Sequence, residues 1–166
     1  MHGRHRVETT LLTLTITLAA SGAVSAGDSA SQRVTYEVKA IDQIALTGAP
    51  PALTIDTATA GAAPAAVTAD GGSYAITTNG SDRKITAALA TAMPPGVTLS
   101  MVMDAPATGT SVGWQALGPT PTEMVTGIAR VAETGLAVRY RLTATVDAGI
   151  LSARTETVTV TLADGS

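Results

Sequence analysis

The chain has 166 residues and a formal net charge of −3, with 45% hydrophobic residues, no cysteine and two histidines. This length suits one domain with its own core, and without cysteine no disulfide holds the fold together. A weakly acidic chain with no basic block is a poor ligand for nucleic acid or anionic lipid.

Residues 1–26 have the features of a secretory signal peptide. The stretch MHGRHR is basic, LLTLTITLAA is a short apolar run, and Val24 and Ala26 occupy the two positions that a signal peptidase recognises. We therefore expect cleavage after Ala26 and a mature β-sandwich domain at residues 27–166. The mature protein would be secreted to the periplasm, the cell surface or the medium. No later segment is apolar enough to insert into a membrane.

Both histidines, His2 and His5, lie in this predicted signal peptide. The mature chain would then lack His and Cys, which removes Ser-His-Asp and Cys-His catalysis and His-ligated zinc or copper. Paired carboxylates could still hydrolyse glycosides, but such sites need aromatic platforms for the sugar. Tyr36, Tyr74 and Tyr140 fall on apolar faces, so we expect them in the core. We therefore predict that the protein is not an enzyme and has no cofactor.

The first predicted strand of the mature chain is RVTYEVKAIDQIAL. Its apolar residues Val34, Tyr36 and Val38 alternate with polar ones, and the pattern falters at Asp42, where we expect a bulge or bend. A terminal strand can leave its own sheet and complete that of a neighbour, so this segment is the candidate assembly strand. The alternative is an ordinary edge strand that pairs within its own sheet.

The middle of the chain continues with strand patterns. The stretch YAITTNGSDRKITAAL predicts a hairpin that turns at Asn79 and Gly80, a pair favoured in tight turns. The stretches VTLSMVM and EMVTGI predict two further strands, separated by a loop with a short strand of its own.

The C-terminal stretch GLAVRYRLTATVDAGILSARTETVTVTL predicts a second hairpin. Threonine occupies the odd positions from Thr155 to Thr161 and would form a wettable face, while Val158, Val160 and Leu162 would face the core. No segment has a sustained helical period. The sequence therefore predicts an all-β fold, a single antiparallel β-sandwich of the Ig-like or jelly-roll-like kind, with a small β-barrel as the alternative.

Candidate binding residues lie in or beside the predicted loops. Asp70, Asp82 and Asp104 are weak candidates for Ca²⁺ ligands, because loops at one end of a sandwich can offer carboxylates to this ion. The chain has no Asp-x-Asp cluster, so plain turns are the alternative. Trp114, in SVGWQALG, either fills the core or contacts a ligand from a loop.

Three blocks of the chain carry a resemblance: YAITTNGSDRKITAALATAMPPGVTLSMVM, VTGIARVAETGLAVRYRLTATVDAG and TETVTVTL. They resemble a group of small, secreted, Thr- and Ala-rich bacterial β-proteins that are generally called uncharacterised. The resemblance covers most of the mature chain and implies a secreted β-domain, without an activity or a catalytic residue to carry over. In general style the domain also resembles pilin-type and spore-coat-type sandwich subunits, a likeness of fold alone.

These observations predict a non-catalytic extracellular structural protein. It would be a subunit of a surface layer, coat or filament that assembles with itself through β-strand contacts. The alternative is an adhesin or lectin-like module that binds its ligand through end loops around Trp114 and the stretch TGTS.

Overall fold

The computed structural model describes Ser29 and residues 31–165. The predicted signal peptide and its cleavage site lie outside these residues. The chain divides into two units, with the boundary between Glu37 and Val38. In the first unit, the described residues Ser29 and 31–37 are exposed and belong to no helix or strand. The second unit contains all the strands given below.

Nine strands form the second unit in the described part of the chain. In chain order they are β1 (Asp42–Thr47), β2 (Val67–Thr78), β3 (Arg83–Leu89), β4 (Val97–Met103), β5 (Thr110–Ser111), β6 (Gln115–Ala116), β7 (Thr122–Ile128), β8 (Val131–Ala144) and β9 (Val158–Asp164). A single 3-10 turn, Val146–Ala148, lies between β8 and β9. Within the described residues, no helix has the length and apolar character needed to cross a membrane.

The strands form two antiparallel sheets, which confirms the sandwich prediction. One sheet has five strands in the order β1-β2-β8-β4-β6, and the other has four in the order β5-β7-β3-β9. Two separate sheets replace the closed barrel that was the alternative. Among the described strands, only β1 and β2 are consecutive in sequence and paired with each other; each later connection crosses from one sheet to the other.

The core lies between the two sheets and is built from alternate residues of the strands. Tyr74 and Ile76 of β2, Ile85 of β3, Met101 of β4 and Val125 of β7 are almost completely buried. In β2 and β3 the residues next to them in sequence are less buried, as a two-residue period predicts, whereas in β4 and β7 the adjacent Val102 and Met124 are also buried. Burial of these apolar side chains is the main source of stability in a chain that has no disulfide.

Both predicted hairpins are wrong. Strand β2 pairs with β1 and β8 along its two edges, so β3 pairs instead with β7 and β9 in the other sheet. Strands β8 and β9 likewise lie in different sheets and do not pair with each other. A polar turn such as Asn79-Gly80 ends a strand equally well whether the chain returns beside it or crosses over the core. The turn signals therefore predict where strands end, but not which strands pair.

The predicted first strand is also shorter than expected, because it begins only at Asp42. In the β1–β2 ladder, Asp42 lies opposite Thr78, which is the last residue of β2. The chain then crosses to the other sheet, so β2 offers no further partner to the residues before Asp42. Residues 31–41 therefore belong to no strand. The expected bulge at Asp42 is instead the start of β1.

Candidate functional site

The predicted assembly strand is an exposed apolar segment. Val34, Tyr36 and Val38 have 74%, 89% and 78% of their surface exposed. The prediction that Tyr36 belongs to the core is therefore wrong, whereas Tyr74 and Tyr140 are buried as predicted. Large apolar side chains at a two-residue spacing are the pattern of a strand that covers a core, and their exposure here is therefore unusual.

Asn79 fixes the backbone immediately before β1. Its Oδ1 accepts a hydrogen bond from the N–H of Ile41 at 2.8 Å, and its Nδ2 donates to the carbonyl of Lys39 at 2.8 Å. The backbone N–H of Asn79 also donates to the carbonyl of Ile41 at 3.2 Å. The side-chain amide thus takes the place of the strand residue that β2 would supply if it continued. Sequence reasoning assigned Asn79 only to a turn.

Arg83 joins β1 to the second sheet. Its Nη2 lies 2.9 Å from Oδ2 of Asp42, and its Nη1 pairs with Asp164 at the end of β9. The hydroxyl of Thr78 donates to Oδ1 of Asp42 at 2.7 Å. These contacts fasten the edge strands of the two sheets at one end, and they explain why a carboxylate stands in the alternating pattern of the first predicted strand.

Beyond these ion pairs, the side of the sandwich between β1 and β9 is partly open. Leu46 lies opposite the buried Tyr74 and hence on the core face, yet 46% of its surface is exposed. On β9, Val158, Val160 and Leu162 pack against the core but are only half-buried. The threonines of β9 are exposed, as predicted. In the described part of the chain, the outer edges of β1 and β9 have no strand partner.

The opposite side of the sandwich covers the core more completely. The short strands β5 and β6 lie at the edges there, and the neighbouring residues Leu117, Met124 and Val125 are buried. The two sides therefore differ: one has core residues covered by short strands and loops, and the other leaves core-facing residues of two edge strands in partial contact with solvent.

Trp114 is half-buried and does not belong to the buried core, so the core interpretation of this residue is wrong. The guanidinium carbon of Arg141 lies 4.6 Å from the centroid of its ring, which is a cation–π contact. Nε of Arg141 is buried without a hydrogen-bond partner. The role of Trp114 as a ligand contact stays a prediction.

The three aspartates that are weak candidates for Ca²⁺ ligands are not brought together in one group. Asp70 belongs to β2, Asp82 lies in the turn before β3 with a φ of 52°, and Asp104 follows β4. Asp104 pairs with Arg139 at 3.0 Å. Within the described residues, no three His, Cys, Asp or Glu side chains come together in a group that could hold a metal ion.

Two open depressions lie on the sandwich. The larger has a volume of about 460 Å³, and its lining includes Ile41, Asn79 and Arg130. The smaller, of about 250 Å³, is lined by residues of β1, β2 and β8, among them Glu133. In neither depression do two carboxylates face each other as an acid–base pair would require.

The two buried tyrosines act as structural anchors. Burial raises the pKa of Tyr74, and the negative charges of Asp104 and Glu133 raise it further. Burial also raises the pKa of Tyr140. The Tyr74 hydroxyl donates to the backbone carbonyl of Asp104 at 2.6 Å. Both phenols therefore keep their protons at neutral pH.

No protein-family model, curated protein or solved structure matches this chain. Its main surface feature is the exposed apolar segment at residues 31–41, on a chain whose sandwich has one partly open side.

Proposed function

We propose that the protein is a non-catalytic extracellular structural subunit that assembles into a surface layer, coat or filament through β-strand contacts. The observation that carries the proposal is the exposure of Val34, Tyr36 and Val38 on a segment that has no strand partner among the described residues. Exposed backbone groups and alternating apolar side chains are the two features by which an extended segment joins the sheet of another molecule.

The contacts of Asn79 support this proposal. They hold the backbone of Lys39 and Ile41 next to the end of β2. The chain is therefore fixed at the C-terminal end of the candidate assembly strand. Such an arrangement lowers the entropy that the segment loses when it pairs with a second molecule. The basic and apolar N-terminal stretch supports export, since it has the composition of a signal peptide.

The test compares the assembly of three forms of the chain. Each form is expressed at full length, and the exported protein is examined by electron microscopy. The first is the natural chain, and the second carries Val34→Ser, Tyr36→Ser and Val38→Ser. The matched control carries Arg33→Ser, Thr35→Ser and Glu37→Ser, which change the alternate positions of the same segment. We expect filaments or sheets from the natural chain and the control, and none from the second form.

Thermal unfolding of the three forms separates assembly from folding. All the substituted residues are exposed, so we expect the same midpoint for each sandwich. Assembly by the second form at the natural level, or no assembly by any of the three, would contradict the proposal.

The second candidate function is a binding module, an adhesin or lectin-like domain. The half-buried ring of Trp114 against Arg141 favours it, because an aromatic ring beside a guanidinium offers both stacking and a charged donor to a ligand. A glycan or matrix array tests this function. Binding that Trp114→Ala abolishes in a folded protein would support it, and an array without signal for the natural chain would exclude that form of it.

A further inference from the structure

The geometry points to the outer edge of β9 as the place where the assembly strand of a second copy binds. This inference rests on the proposed function and adds the acceptor surface to it. The occupant would be residues 31–41 of another chain, paired with β9 so that the four-stranded sheet gains a fifth strand.

The donor and the acceptor match in the spacing of their apolar residues. Val34 and Val38 are four residues apart, as are Val158 and Leu162, so each set spans about 13 Å in an extended strand. Tyr36 would stand beside Val160 at the centre. The half-buried apolar residues of β9 would then be covered by apolar side chains, and burial of this surface would favour association.

Strand β9 fits the donor better than β1, which is the other edge strand on the partly open side. Strand β1 has only two apolar core-facing positions, Ile44 and Leu46, because Asp42 occupies the third and pairs with Arg83. An apolar donor residue beside Asp42 would lie against a carboxylate. Strand β9 offers three consecutive apolar positions on its core face and therefore fits the donor better.

The donor segment is better placed to pair with another molecule than to fold back onto the sheet of its own molecule. Residues 31–41 contain no glycine or proline, the residues that most readily supply a tight reversal of the chain. Asn79 holds Lys39 and Ile41 beyond the end of β2, in continuation of β1. A second copy therefore supplies the strand that the open side lacks.

Cysteine crosslinking tests the acceptor surface directly, because the natural chain has no cysteine. One full-length exported chain carries Thr35→Cys. A second carries, in turn, Thr159→Cys or Thr161→Cys on the exposed face of β9. The acceptor controls are Thr77→Cys on β2 and Ala45→Cys on β1, which are exposed. A disulfide forms only where the two Cα atoms come within about 7 Å.

After the two chains are mixed, assembled and oxidised, we expect a crosslinked pair for at least one β9 position, several-fold above both controls. Normal assembly with no crosslink at β9, or with the main crosslink at Ala45→Cys, would overturn the acceptor assignment and leave the proposed function standing. Failure of the natural chain to assemble would overturn both. Loss of assembly confined to the β9 cysteines would support the assignment, since the Thr77→Cys chain controls for the substitution itself.

Discussion

At the scale of single residues, the side-chain amide of Asn79 supplies the hydrogen bonds that a longer β2 would otherwise make. Its two side-chain hydrogen bonds, to Ile41 and Lys39, are what hold this part of the backbone beyond the last residue of β2. We expect Asn79→Ala to lower the free energy of unfolding by about 1–2 kcal/mol, since a hydrogen bond contributes about 0.5–1.5 kcal/mol. Denaturant unfolding measures this loss.

Hydrogen exchange gives a local measure of the same change. The amide of Ile41 should exchange faster in Asn79→Ala than in the natural chain, because it loses its acceptor. Thr77→Ala is the control: this side chain is also exposed, and its removal should leave the Ile41 amide protected. Equal exchange of Ile41 in Asn79→Ala and the natural chain would contradict the role given to Asn79.

Tyr74 makes the stability of the sandwich depend on pH in alkali. Burial raises the pKa of Tyr74 in the folded state above its ordinary value of about 10. Below pH 10 both states keep the proton, and above it only the folded state does. The free energy of unfolding should therefore fall as the pH rises from about 10 toward the raised pKa of the folded state.

Tyr74→Phe tests this dependence. At pH 7 it should lower the free energy of unfolding by about 1 kcal/mol, because the carbonyl of Asp104 loses its hydrogen bond. From pH 9 to 11 the decline should be shallower than in the natural chain, with the part due to Tyr140 remaining. Tyr36→Phe, at an exposed phenol, should not change stability at pH 7. An equal alkaline decline in Tyr74→Phe and the natural chain would exclude this cause.

At the scale of strands, Arg83 connects three elements through its contacts with Asp42 on β1 and Asp164 on β9. We expect Arg83→Met to lower the free energy of unfolding by about 1–3 kcal/mol, because it leaves the half-buried Asp42 without its counter-ion. Arg139→Met is the matched control. It breaks a pair in which both side chains are nearly half exposed, and such pairs contribute about 0–1 kcal/mol. Equal losses for the two variants would contradict the structural role of Arg83.

Strands and their faces could be predicted from the sequence, but their partners could not. Alternation identified β4 and β7, and it placed the threonines of β9 in solvent, because the period depends only on neighbouring residues. Pairing depends on contacts between residues far apart in the chain, so β2 and β3 were wrongly expected to pair. The same limit applied to Tyr36, whose apolar alternation resembles that of a buried strand.

The candidate site was predictable in part for the same reason. The alternation of Val34, Tyr36 and Val38 marked a candidate assembly strand, although its exposure required the structure. The partly open side depends on sheet order, since β1 and β9 are distant in sequence and become edge strands on the same side only in the folded sandwich. The contacts of Asn79 and Arg83 likewise join residues about 40 or more positions apart.

At the scale of the whole molecule, the proposed assembly needs a donor and an acceptor, and the chain has a candidate for each. The candidate donor is the exposed apolar segment at residues 31–41, and the candidate acceptor is the half-buried face of β9. A chain with both can add copies without limit, because each addition leaves one donor and one acceptor unused. Open-ended assembly is the property that a coat, layer or filament subunit needs.

The measurement that tests this account most directly is the mass of the exported natural chain by light scattering, across a concentration series and after long incubation. We expect masses that are multiples of one chain, that grow with concentration and time, and that extend to particles without a fixed upper size. A mass equal to one chain at every concentration and every time would contradict the account, because the segment at residues 31–41 and the edge of β9 would then not bind each other.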